Sequence, residues 1–206
     1  MDEWFTETVQ PRLKGHSTLI RFCDDFVLVF EYSDDVLRVQ RVLGKRLERF
    51  GLQLHPDKSR LVDFRHHRPA CVGWHTLLPT TFNFLGFTHL WGKSRKGKWV
   101  LRQLMAKDRL VRVLKGLNEQ CRRMMHWPLR AQHERLCRML RGSFAYFGIT
   151  GNSLRLWRLH RQAERCWRRS LARRTRDHHL IWTVFARILG RFPLPHPLIV
   201  PCATRR

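Results

Sequence analysis

Asp24 and Asp25 stand side by side between two apolar runs, Thr18-Leu19-Ile20-Arg21-Phe22 and Phe26-Val27-Leu28-Val29-Phe30. The runs are rich enough in β-branched and aromatic residues to be strands. Cys23-Asp24-Asp25 between them suits a tight hairpin whose tip presents both carboxylates. Like charges this close repel one another. A divalent cation removes the conflict, and Mg²⁺ takes oxygen ligands from one or two carboxylates together with substrate phosphates. The competing reading is an ordinary solvated turn, because Asp favours turns on its own account. A second pair, Asp34-Asp35, needs no metal. Following Ser33 as a cap, it reads as the acidic first turn of a helix, where the macrodipole favours anions.

The second chemistry written in the chain is recognition of a polyanion. Lys93, Arg95, Lys96, Lys98, Arg102, Lys107, Arg109 and Arg112 follow closely on one another, interleaved with Trp91 and Trp99. Lys and Arg pair with phosphates, and indoles stack on exposed bases. The chain of 206 residues carries 40 Lys plus Arg against 16 Asp plus Glu, a net charge of +24. That charge is segregated. Residues 1–64 hold 10 basic and 11 acidic side chains, whereas residues 65–206 hold 30 and 5, an excess beyond what solubility requires. Trp157 and Trp167 also fall at helical spacing, which reads as core, with base stacking as the alternative.

Other classes drop out. Eight Trp and 13 Phe provide buried area that disordered chains lack. No stretch approaches the roughly 18 uncharged apolar residues of a spanning helix, and the acidic start MDEWFTETVQ does not read as a signal peptide. The six cysteines are scattered without a CxxC pair, so reduced thiols in the cytoplasm are expected rather than disulfides or a closed zinc site. The pairs His66-His67 and His178-His179 lack cysteine partners at ligand spacing and read as solvated or phosphate-facing.

The elements that must position these residues follow from periodicity. After the first hairpin, Val36, Val39, Leu43, Leu47 and Phe50 recur at helical spacing and Gly51 stops the helix. Leu52-Gln53-Leu54 and Arg60 to Phe64 are expected as a second short strand pair. Residues 65–81 read as a loop. Phe82 to Phe87 and Lys98 to Leu101 look like strands joined by the basic turn 92–97. Three helical stripes follow: Leu110, Val113, Leu114, Leu117, Cys121 and Met124; then Leu136, Leu140, Phe144 and Phe147; then Leu156, His160, Ala163 and Trp167 behind Ser153. Trp127-Pro128 and residues 148–152 separate them. A shorter helix near 178–189 precedes a proline-rich tail. The fold class read here is α+β.

Arg21-Phe22-Cys23-Asp24-Asp25-Phe26 resembles the RYADDF signature of reverse transcriptases, with Phe22 and Cys23 in place of Tyr and Ala. Three further segments match in order and spacing. Phe50-Gly-Leu-Gln-Leu-His-Pro-Asp-Lys58 is similar to the FGLxLHPxK segment, Phe84-Leu85-Gly86-Phe87 to FLGF, and Trp91 to Gly97 to the basic turn that follows. Trp127-Pro-Leu-Arg130 and Arg141-Gly-Ser-Phe-Ala-Tyr-Phe-Gly148 resemble the maturase-specific region of group II intron proteins. The chain thus resembles a group II intron reverse transcriptase/maturase over nearly its whole length.

That resemblance implies a partial palm over 1–103, with a primer-grip-like turn at Phe84, Leu85 and Gly86. It also implies a thumb and maturase-specific region over 104–206 with a basic tail. Asp24 and Asp25 would be catalytic Mg²⁺ ligands in two-metal nucleotidyl transfer. Lys58 would protonate pyrophosphate or contact phosphate, unless it is a solvated turn lysine. The implied partners are intron RNA and an RNA/DNA primer–template, with no membrane. Met1 stands 21 positions before Phe22, so the fingers and the first palm aspartate of the family are not expected in this chain. These 206 residues are therefore not expected to polymerise alone. The alternatives are a non-catalytic RNA-binding protein that assists intron splicing, and complementation by a separate fingers–palm polypeptide.

Overall fold

The computed structural model describes residues 1–65, 80–94, 96–175, 177 and 179–200. The architecture is mixed α+β, and the chain divides into two compact units, Met1–Leu85 and Gly86–Arg206. The sequence reading placed its division after residue 103; the compact units instead group the second hairpin with the helices.

In the first unit a helical segment Trp4–Val9 and a short turn Gln10–Arg12 lead into β1 (Ser17–Phe22) and β2 (Asp25–Phe30). The strands are antiparallel in a register running from Ser17 opposite Phe30 to Phe22 opposite Asp25. Side chains alternate across a strand, so Leu19, Leu28 and Phe30 share one face. That face packs on Phe5, Val9 and Val39, the last from α1 (Ser33–Glu48). The other face leaves Ile20, Phe22 and Val29 exposed.

Asp34 and Asp35 separate in role. Asp34 is exposed and pairs with Lys14 at 3.5 Å. Asp35 is buried, and one of its carboxylate oxygens accepts the backbone N–H groups of Lys14 and Gly15, each at 3.0 Å. It ties the start of α1 to the loop before β1, a role beyond that of a helix-start acid. Ser33 lies inside the helix rather than capping it, and the cap position falls to Tyr32. The strand pair expected around His55-Pro56-Asp57-Lys58-Ser59 does not form. Residues 52–64 run without a ladder, and the amides of Lys58 and Ser59 bond the His55 carbonyl in a local turn. Asp63 meanwhile accepts from Arg65 at 2.7 Å and 2.9 Å. Such local bonds compete with sheet pairing, and an isolated short hairpin is marginal in water. The unit closes with β3 (Phe82–Phe84).

In the second unit β4 (Phe87–Lys93) pairs antiparallel with β5 (Trp99–Met105), Lys93 standing opposite Trp99. The expected single run from 82 to 87 is thus split by a turn. Four helices follow: α2 (Lys107–Arg123), α3 (Leu129–Phe147), α4 (Ser153–Ala172) and α5 (Trp182–Arg191). The stripes read from the sequence form the core. Leu110, Leu117, Cys121 and Met124 meet Leu136, Leu140, Phe144, Phe147, Leu156, Ala163 and Trp167. A buried polar network fixes their register. The Trp167 indole donates to Gln132 Oε1 at 2.9 Å, and Gln132 Nε2 donates to the carbonyls of Trp127 and Met125. Ser170 Oγ donates to the Cys121 carbonyl at 2.6 Å. The end of β5 is held to α4 in the same way: Asn152 Oδ1 accepts the Met105 N–H at 2.7 Å, and Arg155 donates to the Met105 carbonyl.

Candidate nucleic-acid interface and carboxylate turn

The first hairpin closes on a two-residue turn, Cys23-Asp24, with Cys23 at φ 55°. A two-residue loop needs positive φ to match strand twist, and a cysteine there is uncommon enough to mark a constrained position. Asp24 occupies the turn, whereas Asp25 begins β2 opposite Phe22; both carboxylates are exposed. Arg21 braces the turn by donating to the Cys23 carbonyl at 3.0 Å. It also pairs with Asp2 through both of its donor edges, at 2.9 Å and 3.1 Å from Nε, and holds that carboxyl below the usual carboxylate range. Asp2, which Arg21 ties to this hairpin, is therefore committed to a guanidinium.

Two exposed oxygen-donor groups fit a single, largely hydrated Mg²⁺, which needs only one or two carboxylates. Among the described residues no group of three His, Cys, Asp or Glu side chains gathers as a metal cage. Lys58 sits in its own exposed turn, and no bond among the described residues joins it to Asp24 or Asp25. A cleft of about 390 Å³ runs beside β1 between Phe5, Gln10, Thr18 and Leu19, without Asp24 or Asp25 in its walls.

The Phe84–Phe87 turn has positive φ at both central residues, Leu85 at 49° and Gly86 at 76°. That pairing of signs is the hairpin turn that usually carries Asn-Gly, so a leucine held there is strained and is presented by design of the turn rather than by preference. Gly86 accepts the Ala106 N–H at 2.8 Å, and its α-carbon faces Arg109 and Phe147. Arg109 is thus an expected nucleic-acid residue that lies beside Gly86.

Of the other expected basic residues, Lys93, Lys96, Lys98, Arg102, Lys107, Arg109 and Arg112 are all exposed, and Arg95 lies outside the described residues. On the β4–β5 hairpin Lys93 Nζ stands 5.7 Å from the Trp99 ring centre, and Arg102 folds back onto the Lys93 carbonyl. Lys107, Arg109 and Arg112 project from the first half of α2. The second unit holds 28 basic and 5 acidic residues, while its apolar side chains fill the core, so the positive charge is a shell.

Sequence reasoning stopped at Arg112 and missed the basic face of α4. Arg158, Arg161, Arg165 and Arg169 are exposed at intervals of three and four, the spacing of one helix face. Trp157 belongs beside them, 41% exposed, whereas Trp167 is fully buried. The signal was present: ten positions are about 80° short of a whole number of turns, which rotates Trp157 off the buried stripe. His66, His67 and His178 lie outside the described residues.

The buried cysteines offer no nucleophile. Burial pushes the Cys121 thiol up to about 12. Cys137 lies 3.1 Å from His133 Nε2, yet burial raises its thiol too, and the same ring nitrogen lies 2.9 Å from the Pro193 carbonyl oxygen. No helix among the described residues is long and apolar enough to cross a membrane. Comparison with protein-family models, with curated proteins and with solved structures finds no match for this chain.

Proposed function

We propose that this chain is the end of the palm, the thumb and the maturase-specific region of a group II intron reverse transcriptase/maturase, and that it acts by binding intron RNA in the cytoplasm. The observation that carries this reading is the arginine and lysine shell of the second unit, spread over the β4–β5 hairpin, α2 and α4 around an apolar core. Exposed guanidinium and ammonium groups exchange condensed counterions for phosphates, which makes binding tight at low salt and steeply salt-dependent.

Asp24 and Asp25 would hold Mg²⁺, which in the parent family activates a primer 3′-hydroxyl and steadies a triphosphate. What these residues themselves do is present two oxygens from a turn that Arg21 braces. Two adjacent exposed carboxylates under-determine the position of a metal that must also orient substrate, so these 206 residues by themselves assist RNA folding rather than polymerise. A fingers–palm polypeptide supplied separately is the second reading, and the exposed apolar face of Ile20, Phe22 and Val29 favours it as a surface to be covered.

Filter binding to a group II intron RNA, titrated with salt, tests the proposal. Affinity should fall by several tenfold steps between low and moderate salt, about what six or more phosphate contacts give. Asp24→Ala with Asp25→Ala should leave that binding unchanged. Salt-independent binding, or Mg²⁺-dependent primer extension by the purified chain alone, would overturn it.

A further inference from the structure

Between α2 and α3 runs a groove of about 310 Å³ that the reading above does not use. Val113, Leu117 and Met139 wall it, Gly116 opens its α2 side, and Arg112 and Ser143 supply its polar atoms. A Cβ built on Gly116 would meet nothing within 4 Å, so the groove is open at that point. The volume lies at the small end of ligand sites. It suits one flat ring rather than a docked helix, which needs anchors spread over two turns.

The surroundings select the ring's chemistry. Exposed arginines stand on both helices, Arg109 and Arg112 on α2 and Arg138 and Arg141 on α3. Among the described residues Arg112 has no carboxylate partner. An apolar slot with cationic rims is the arrangement that takes a base while neighbouring phosphates are neutralised. The polarisable Met139 thioether packs well on an aromatic face. Ser143 Oγ donates to the Met139 carbonyl at 3.1 Å, which leaves its lone pairs to accept from an exocyclic amino group.

We propose that the α2–α3 groove takes one unpaired nucleobase of the bound RNA, with Arg112 on an adjoining phosphate. The inference rests on the RNA-binding reading and adds to it a preference for bulged or single-stranded RNA over continuous duplex.

The test compares two short RNA hairpins, one fully paired and one carrying a single unpaired adenine, on the full chain. The bulged hairpin should bind about tenfold tighter, the return on burying roughly 60 Å² of apolar base surface. Gly116→Leu fills the groove with a better helix former and should abolish the preference while leaving affinity for the paired hairpin unchanged. Ser143→Leu, filling the groove from α3, should do the same, so the result does not depend on one variant folding. Equal affinity of the natural chain for the two hairpins, the outcome if an apolar side chain of a protein partner fills the groove, overturns the inference and leaves RNA binding standing. A preference that survives both filled variants overturns it as well. Failure to bind either hairpin at low salt overturns the RNA-binding reading itself.

Discussion

The two units differ in how much core lies beneath their charged residues. The unit with the carboxylate turn buries Phe5, Val9 and Val39 under one face of a two-stranded sheet. The basic unit buries a cluster of twenty residues, most of them from its four helices. The first relies on point attachments: Asp35 on the Lys14 and Gly15 amides, and Arg21 on Asp2 and the Cys23 carbonyl. The second relies on packing, with hydrogen bonds such as Trp167 to Gln132 selecting register inside it. The difference teaches that a surface spread over several helices draws its positions from a packed core, whereas one hairpin turn is placed by a few bonds. A turn of two acids can stand on far less.

The comparison breaks most readily at Trp167. Trp167→Ala removes a fully buried indole and leaves Gln132 without its donor, and it should lower stability by about 3–5 kcal/mol. Denaturant unfolding followed by circular dichroism measures the loss. A change below about 1 kcal/mol would mean that the helical core is looser than its burial indicates.

A smaller effect is expected where the first unit depends on a single carboxylate. Asp35→Ala strands two amides that it bonds at 3.0 Å and should cost about 1–3 kcal/mol. Faster amide exchange at Lys14 and Gly15 would report the release locally. Undisturbed exchange there would show that the loop is held by other means. Gly15 bears on the same point, because any side chain there would run into the Tyr32 ring.

The smallest expected effect lies on the tail side of the second unit. His160 is buried, stacks on His196 with ring centres 5.1 Å apart, and lies 3.8 Å from Glu164. Burial lowers its pKa from 6.5; Glu164 pulls the other way, and His196 adds to the lowering. The unfolded chain therefore binds the proton first as pH falls. Stability contributed by neutral His160 is complete above about pH 6.5 and is lost as pH drops from there toward the depressed folded value. Thermal melts should fall over that interval, and His160→Phe should flatten the slope. An unaltered slope in that variant would assign the dependence to other groups.

The helical stripes were legible in the chain because a period of 3.6 is imposed locally by backbone bonds. Leu136, Leu140, Phe144 and Phe147 accordingly sit in the core as their spacing requires. The hairpin around Asp24 was legible for the same reason, since alternation and a short loop specify it without help. The strand pair around His55 was not, because a ladder exists only if nothing nearer bonds the amides first. The anchoring role of Asp35 was not legible, because the amides it accepts lie 20 and 21 positions away. The α2–α3 groove is written in no one segment; it is the space left where two helices carrying Gly116 and Ser143 fail to fill their contact.

By itself the sequence determined the helices, the first hairpin, the segregation of charge and which stripes would be buried, and the periodic patterns among these are set by residues within about two helical turns of each other. Only the tertiary structure decided which carboxylate serves as an anchor and where the arginine faces leave an apolar slot. Those outcomes depend on distances between segments far apart in the chain, fixed only once the core has packed.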